Sequence, residues 1–92
     1  MIITKDGIYP LIKPIVGDAS STTVVYVSGS LSTAVGQLVY FNTDNDPIPL
    51  TDGAVAAGKQ YIVDHGFGVL VYLSVIGSDG GTRINVEAGG LD

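Results

Sequence analysis

Ninety-two residues are enough for one domain with a single modest core and leave no room for a catalytic domain beside a regulatory one. Only 14% are charged while 46% are hydrophobic, against about 25% charged in an average soluble domain, so some apolar surface is expected to be covered by another subunit or partner. The net charge of −5, with Lys5, Lys13, Lys59 and Arg83 scattered, argues against nucleic acid as a partner, and the lack of cysteine excludes a disulfide scaffold or a thiolate zinc site.

The first residues, Met-Ile-Ile-Thr-Lys-Asp-Gly, lack the charged start and apolar run of a signal peptide. No stretch approaches the roughly 18 apolar residues of a membrane helix. The chain is therefore expected to be used without export by the general secretory route and to have no membrane partner.

In residues 1–18, the pairs Ile2-Ile3, Ile8-Tyr9 and Leu11-Ile12 are punctuated by Gly7, Pro10, Pro14 and Gly17. Proline has no N–H for a central ladder, so this segment reads as an extended edge strand or as an arm reaching a neighbour. Ile8, Leu11 and Ile12 are candidate interface residues. Thr22–Val27 and Gln37–Phe41 follow as strands with apolar residues on both faces, joined by the small residues 28–34. A strand apolar on both faces must be covered twice, by the core and by something else.

Residues 42–46 form a polar turn before Pro47-Ile48-Pro49-Leu50, where alternate prolines again permit only an edge conformation. The segment 54–58 is too short for a helix, and Lys59–Val63 is a short strand. The stretch Gly68–Ala88 carries the clearest signal: an apolar run, the turn formers Gly77-Ser78-Asp79-Gly80-Gly81, then apolar and polar residues in alternation. It reads as a C-terminal hairpin, 69–76 with 82–88. In its first strand, Val69, Val71, Leu73 and Val75 share one face, and Leu70, Tyr72, Ser74 and Ile76 share the other. In the second, Ile84, Val86 and Ala88 oppose Arg83, Asn85 and Glu87. Leu70, Tyr72 and Ile76 thus join the candidate interface residues. About seven short strands at this spacing predict a single all-β domain over 1–92, a small antiparallel β-sandwich or barrel.

Candidate chemistry is sparse. Asn42, Asp44 and Asp46 place oxygens at alternate positions, as a calcium loop does. Pro47 stands where an EF-hand needs glycine, however, and Gly53 where it needs glutamate, so turn chemistry explains the cluster. His65, the one histidine, follows Asp64 in a loop, but adjacent residues normally point apart and no Gly-x-Ser-x-Gly elbow supplies a nucleophile. All acids except Glu87 lie in turns or at termini, which leaves no glycosidase pair. The glycine-rich 77–81 lacks the lysine of a phosphate loop. Neither catalytic residues, nor a metal, nor a cofactor are expected. The tyrosines at 9, 26, 40, 61 and 72 leave open an alternative, a carbohydrate-binding or adhesin module that stacks sugars on them.

The run 57–86, with its Gly-Lys-Gln-Tyr-Ile-Val strand, His-Gly-Phe-Gly loop, Val-Leu-Val-Tyr-Leu-Ser strand and Gly-Gly-Thr-Arg-Ile-Asn-Val return, resembles the C-terminal half of small tailed-phage virion proteins of the capsid decoration, head-fibre and spike-base type. The resemblance covers about a third of the chain and is one of style. It implies a β-sandwich or barrel that assembles with itself, often as a trimer, on the major capsid protein or another virion protein, within a particle built in the host cytoplasm. It carries over no individual functional residue.

Overall fold

The computed structural model describes residues 1–11, 21–66 and 68–90. Among them run eight strands: β1 (Ile2–Ile3), β2 (Gly7–Pro10), β3 (Thr22–Ser30), β4 (Val35–Phe41), β5 (Pro47–Pro49), β6 (Lys59–Asp64), β7 (Tyr72–Ile76) and β8 (Arg83–Gly90). They form two antiparallel four-stranded sheets, the first ordered β1-β8-β3-β6 and the second β2-β7-β4-β5. The all-β class is as the alternation predicts. The count rises to eight because the N-terminal segment supplies two edge strands, one in each sheet.

The core lies between the sheets and is built from the inward half of each alternation. Val25, Val27, Val63, Ile84 and Val86 come from the first sheet, and Leu38, Leu73 and Val75 from the second, all buried. Each such side chain stabilises the fold by roughly 1.5–3 kcal/mol. The valine content suits the pleated surface, where a β-branched side chain loses little rotamer freedom. The connection after β5 adds Val55, whose amide donates to the Gly36 carbonyl at 2.8 Å. A Cβ at position 36 would meet Val55 Cγ2 at 2.9 Å, so a side chain there would have to displace this plug.

One sequence expectation is overturned. Residues 69–76 and 82–88 do not pair as a hairpin: β7 lies in the second sheet against β2 and β4, and β8 in the first against β1 and β3. Alternation cannot separate the two arrangements, because in either one each strand turns a single face to the core. The turn formers are satisfied by a crossing as well as by a hairpin. Gly77 takes a φ of 73°, the Asp79 carboxylate accepts from the Gly81 amide at 2.9 Å, and the Thr82 amide donates to the Asp79 carbonyl at 3.2 Å. Among the strands of the described residues, β4 and β5 alone are consecutive within one sheet, and the others alternate between sheets.

Four of these crossings, residues 4–6, 31–34, 50–58 and 77–82, gather at one end of the sandwich. Two carboxylates tie three of them together. Asp6 accepts from the amides of Gly77 and Ser78 at 3.2 and 2.8 Å. Asp79 accepts from the Ser32 hydroxyl at 2.8 Å, while the Thr33 hydroxyl donates to the Gly77 carbonyl at 2.7 Å. The Ser78 hydroxyl and amide, with the Gly77 amide, hold Asp6 below the ordinary aspartate range. The Ser32 hydroxyl, the Gly81 amide and the hydroxyls of Thr82 and Thr33 do the same for Asp79.

A carboxyl whose folded pKa is depressed stabilises the fold fully above its unfolded value, about 4, and this contribution is lost as the pH falls through the folded value. Thermal midpoints are therefore expected to fall between neutral pH and strongly acid pH, and to fall less in an Asp6→Asn, Asp79→Asn double variant. Equal losses in variant and parent would show that the two ties do not set the acid limb.

Candidate functional site

The outer face of the second sheet is the site the fold sets apart. The strand registers arrange its outward residues in rows across the strands. Phe41 stands opposite Pro47; Pro10, Tyr72, Val39 and Pro49 form a row across all four strands; Ile8, Ser74 and Gln37 form the next; Ile76 stands opposite Val35. None of these residues is charged. The outer face of the first sheet is different, for Arg83, Glu87 and Asp64 lie among its outward residues. Among the described residues, charged groups meet the uncharged face at its ends, with Asp6 beyond Ile8 and Asp44 and Asp46 in the turn before Pro47.

Within the face, burial divides it into two parts. The Phe41 and Tyr72 rings meet edge to face with centroids 4.9 Å apart, a favoured aromatic geometry. Val39 lies opposite Tyr72 and Pro49 and two residues from Phe41, and is only 4% exposed although it points away from the main core. The middle of this half is already packed, while Pro10, Pro47 and Pro49 at its margins are exposed. The other half is bare: Ile76 is 62% exposed, Ile8 48% and Val35 46%. Ile76 and Val35 are direct cross-strand partners, and Ile8 is diagonal to Ile76, within reach of a shared contact.

At about 4.8 Å per strand and 3.3 Å per residue, the face measures roughly 15 by 20 Å, or about 300 Å². A stable interface buries about 800 Å² on each partner. The uncharged face therefore has the dimensions of an apolar interface centre that a polar rim would surround.

Of the residues singled out from the sequence, Ile8, Tyr72 and Ile76 come together on this face. Leu70 is half-buried. Leu11 turns inward and packs against the core, its amide donating to the Val71 carbonyl at 2.9 Å, so it is not an interface residue of the bare face. Ile12 lies outside the described residues. Val35, Val39 and Phe41 were missed, although the alternation Val35, Gln37, Val39, Phe41 was there to be read once β4 is started two residues earlier.

The remaining candidates have structural tasks. The Asn42 side-chain oxygen accepts from the amides of Asp44 and Asp46 at 3.0 and 2.9 Å, closing the β4–β5 turn with Asn45 at a φ of 64°. Among the described residues no three acids or histidines gather as a metal site. His65 lies 2.6 Å from the buried Thr23 hydroxyl through Nε2 and 2.8 Å from the Gly66 carbonyl through Nδ1. Since a carbonyl only accepts, Nδ1 is the donor to Gly66, and the Thr23 hydroxyl completes the ring's contacts at Nε2. Asp64 instead points outward opposite Thr22.

Tyr9, Tyr26, Tyr61 and Tyr72 share no platform. Tyr26 lies on the outer face of the first sheet and Tyr72 on that of the second. Tyr9 and Tyr61 pack against the core, with the Tyr9 hydroxyl donating to the Lys5 carbonyl at 2.6 Å and the Tyr61 hydroxyl accepting from the Ala56 amide at 2.7 Å. Comparisons with protein-family models, with curated proteins and with solved structures return no match.

Proposed function

We propose that this chain is a non-enzymatic structural component of a phage-like particle, a capsid decoration or cement protein that assembles with itself on the shell. The observation that carries this is the uncharged outer face of the second sheet, left bare at Ile8, Val35 and Ile76 in a chain whose net charge is −5. A soluble protein keeps such a face for contact. The resemblance of residues 57–86 to small tailed-phage virion proteins supports the class of assembly. The engagement of His65, Asp6 and Asp79 in turns and crossings supports a scaffold in preference to a catalyst. In mechanism, the bare half of the face docks on a neighbouring subunit or on the major capsid protein, and the apolar area removed from water holds it there.

Light scattering on the purified chain, together with co-sedimentation with capsid shells stripped of decoration protein, tests the proposal. A homo-oligomer that sediments with the shells is expected. A stable monomer that stays in the supernatant would overturn it.

A further inference from the structure

We propose that the free edge of β6 pairs with β6 of a second copy of this chain across a two-fold axis at Ile62, joining the two first sheets into one continuous sheet. The other three sheet edges are blunted. β1 is two residues long, β2 carries Pro10, and β5 carries Pro47 and Pro49, and proline cannot donate to an added strand. β6 has six residues, no proline and, among the described residues, only β3 beside it.

Its outward hydrogen-bonding groups can be assigned. The His65 amide donates to the Ser21 carbonyl at 2.9 Å, and across the same sheet the Val86 amide donates to the Met1 carbonyl at 2.9 Å. Carried through the registers, the alternation of an antiparallel ladder turns Tyr61 and Val63 toward β3. The same alternation leaves the N–H and C=O groups of Gln60, Ile62 and Asp64 pointing away from the sheet.

Charge selects a second copy in antiparallel orientation. Lys59 opens the strand and Asp64 closes it, so antiparallel approach brings unlike ends together and parallel approach brings like ends together. A register centred on Ile62 sets it opposite Ile62 of the second copy. It also sets Gln60 opposite Asp64 of the second copy, where an amide donor meets a carboxylate. The axis stands perpendicular to the sheet and keeps both outer faces on one side. Ile62, 64% exposed, then extends the apolar strip that it forms with its cross-strand neighbour Val24 and with Tyr26. None of this depends on the particle.

Residue-resolved amide exchange on dilute and concentrated samples of the full chain tests the pairing. Exchange at Gln60, Ile62 and Asp64 is expected to slow as concentration rises, while Tyr61 and Val63 are protected throughout. Ile62→Pro removes an amide that β3 does not use, so the fold should persist by circular dichroism while self-association weakens about tenfold or more. If Ile62→Pro fails to fold, Ile62→Lys, which places a charge at the centre of the edge, decides in its place. Exchange at 60, 62 and 64 that is independent of concentration, or association unchanged in the folded variants, would overturn the pairing. Association lost in Ile76→Asp but kept in both Ile62 variants would overturn it too, while leaving the uncharged face standing as the contact.

Discussion

A Gly29→Val variant is expected to unfold about 15 °C below the parent protein, a loss of roughly 3 kcal/mol for a domain of this size. Gly29 lies near the end of β3 with a φ of 86°, in the left-handed region that β-branched side chains avoid. A Cβ built there would stand 2.2 Å from the Arg83 carbonyl oxygen of the neighbouring β8. That oxygen is backbone and cannot swing aside, so β3 or β8 must shift, and with them the pairing Gly29 to Ile84 that helps set the core. Gly53→Ala is the control. It meets nothing within 4 Å and its backbone is not left-handed, so a change of less than about 0.5 kcal/mol is expected. Thermal denaturation of both variants checks the pair, and equal midpoints would show that the β3–β8 register tolerates a side chain here.

Ile76→Asp is expected to leave the fold almost untouched and to abolish assembly through the uncharged face. The side chain is 62% exposed, so its loss from the isolated chain amounts to less than about 1 kcal/mol. In a dry contact, a buried unpaired carboxylate would cost several kcal/mol, of which about 3 kcal/mol already weakens association more than a hundredfold. Val35→Asp, directly opposite on β4, should behave in the same way. Lys59→Ala lies on the other sheet and should leave the contact at the uncharged face unaffected. Light scattering across a concentration series, with circular dichroism to confirm folding, separates the outcomes. Two folded variants that assemble as the parent does would remove the face from the interface.

The split between what was readable in advance and what was not follows from locality. Period-two alternation is a property of one strand, and it correctly divided residues 69–76 into a core face, with Val71, Leu73 and Val75 buried, and an outer face ending at exposed Ile76. It divided β8 in the same way, Ile84 and Val86 inward and Arg83 and Glu87 outward. Sheet membership is not local. The glycine-rich segment 77–82 satisfies a hairpin and an inter-sheet crossing equally well. What decides is the set of ties from Asp6, Ser32 and Thr33, 44 or more residues distant along the chain. The inward turn of Leu11 was hidden for a related reason. Its apolarity is visible in sequence, but its direction depends on the bond that draws it to Val71. The uncharged face itself was half visible, since Ile8, Tyr72 and Ile76 stood out, while their union with Val35 and Phe41 required the order β2-β7-β4-β5.

The chain has no cysteine, so a single introduced thiol reports on one position alone, and its labelling rate measures most directly whether the uncharged face is covered. Ile76→Cys lies in the bare half of that face, and Glu87→Cys on the outer face of the first sheet serves as reference. At low concentration both thiols should react at similar rates. In the assembled protein, or on shells, Ile76→Cys is expected to be protected about tenfold or more while Glu87→Cys continues to react. A thiol at position 76 that labels as fast as the reference under every condition would contradict the claim that this face is an interface.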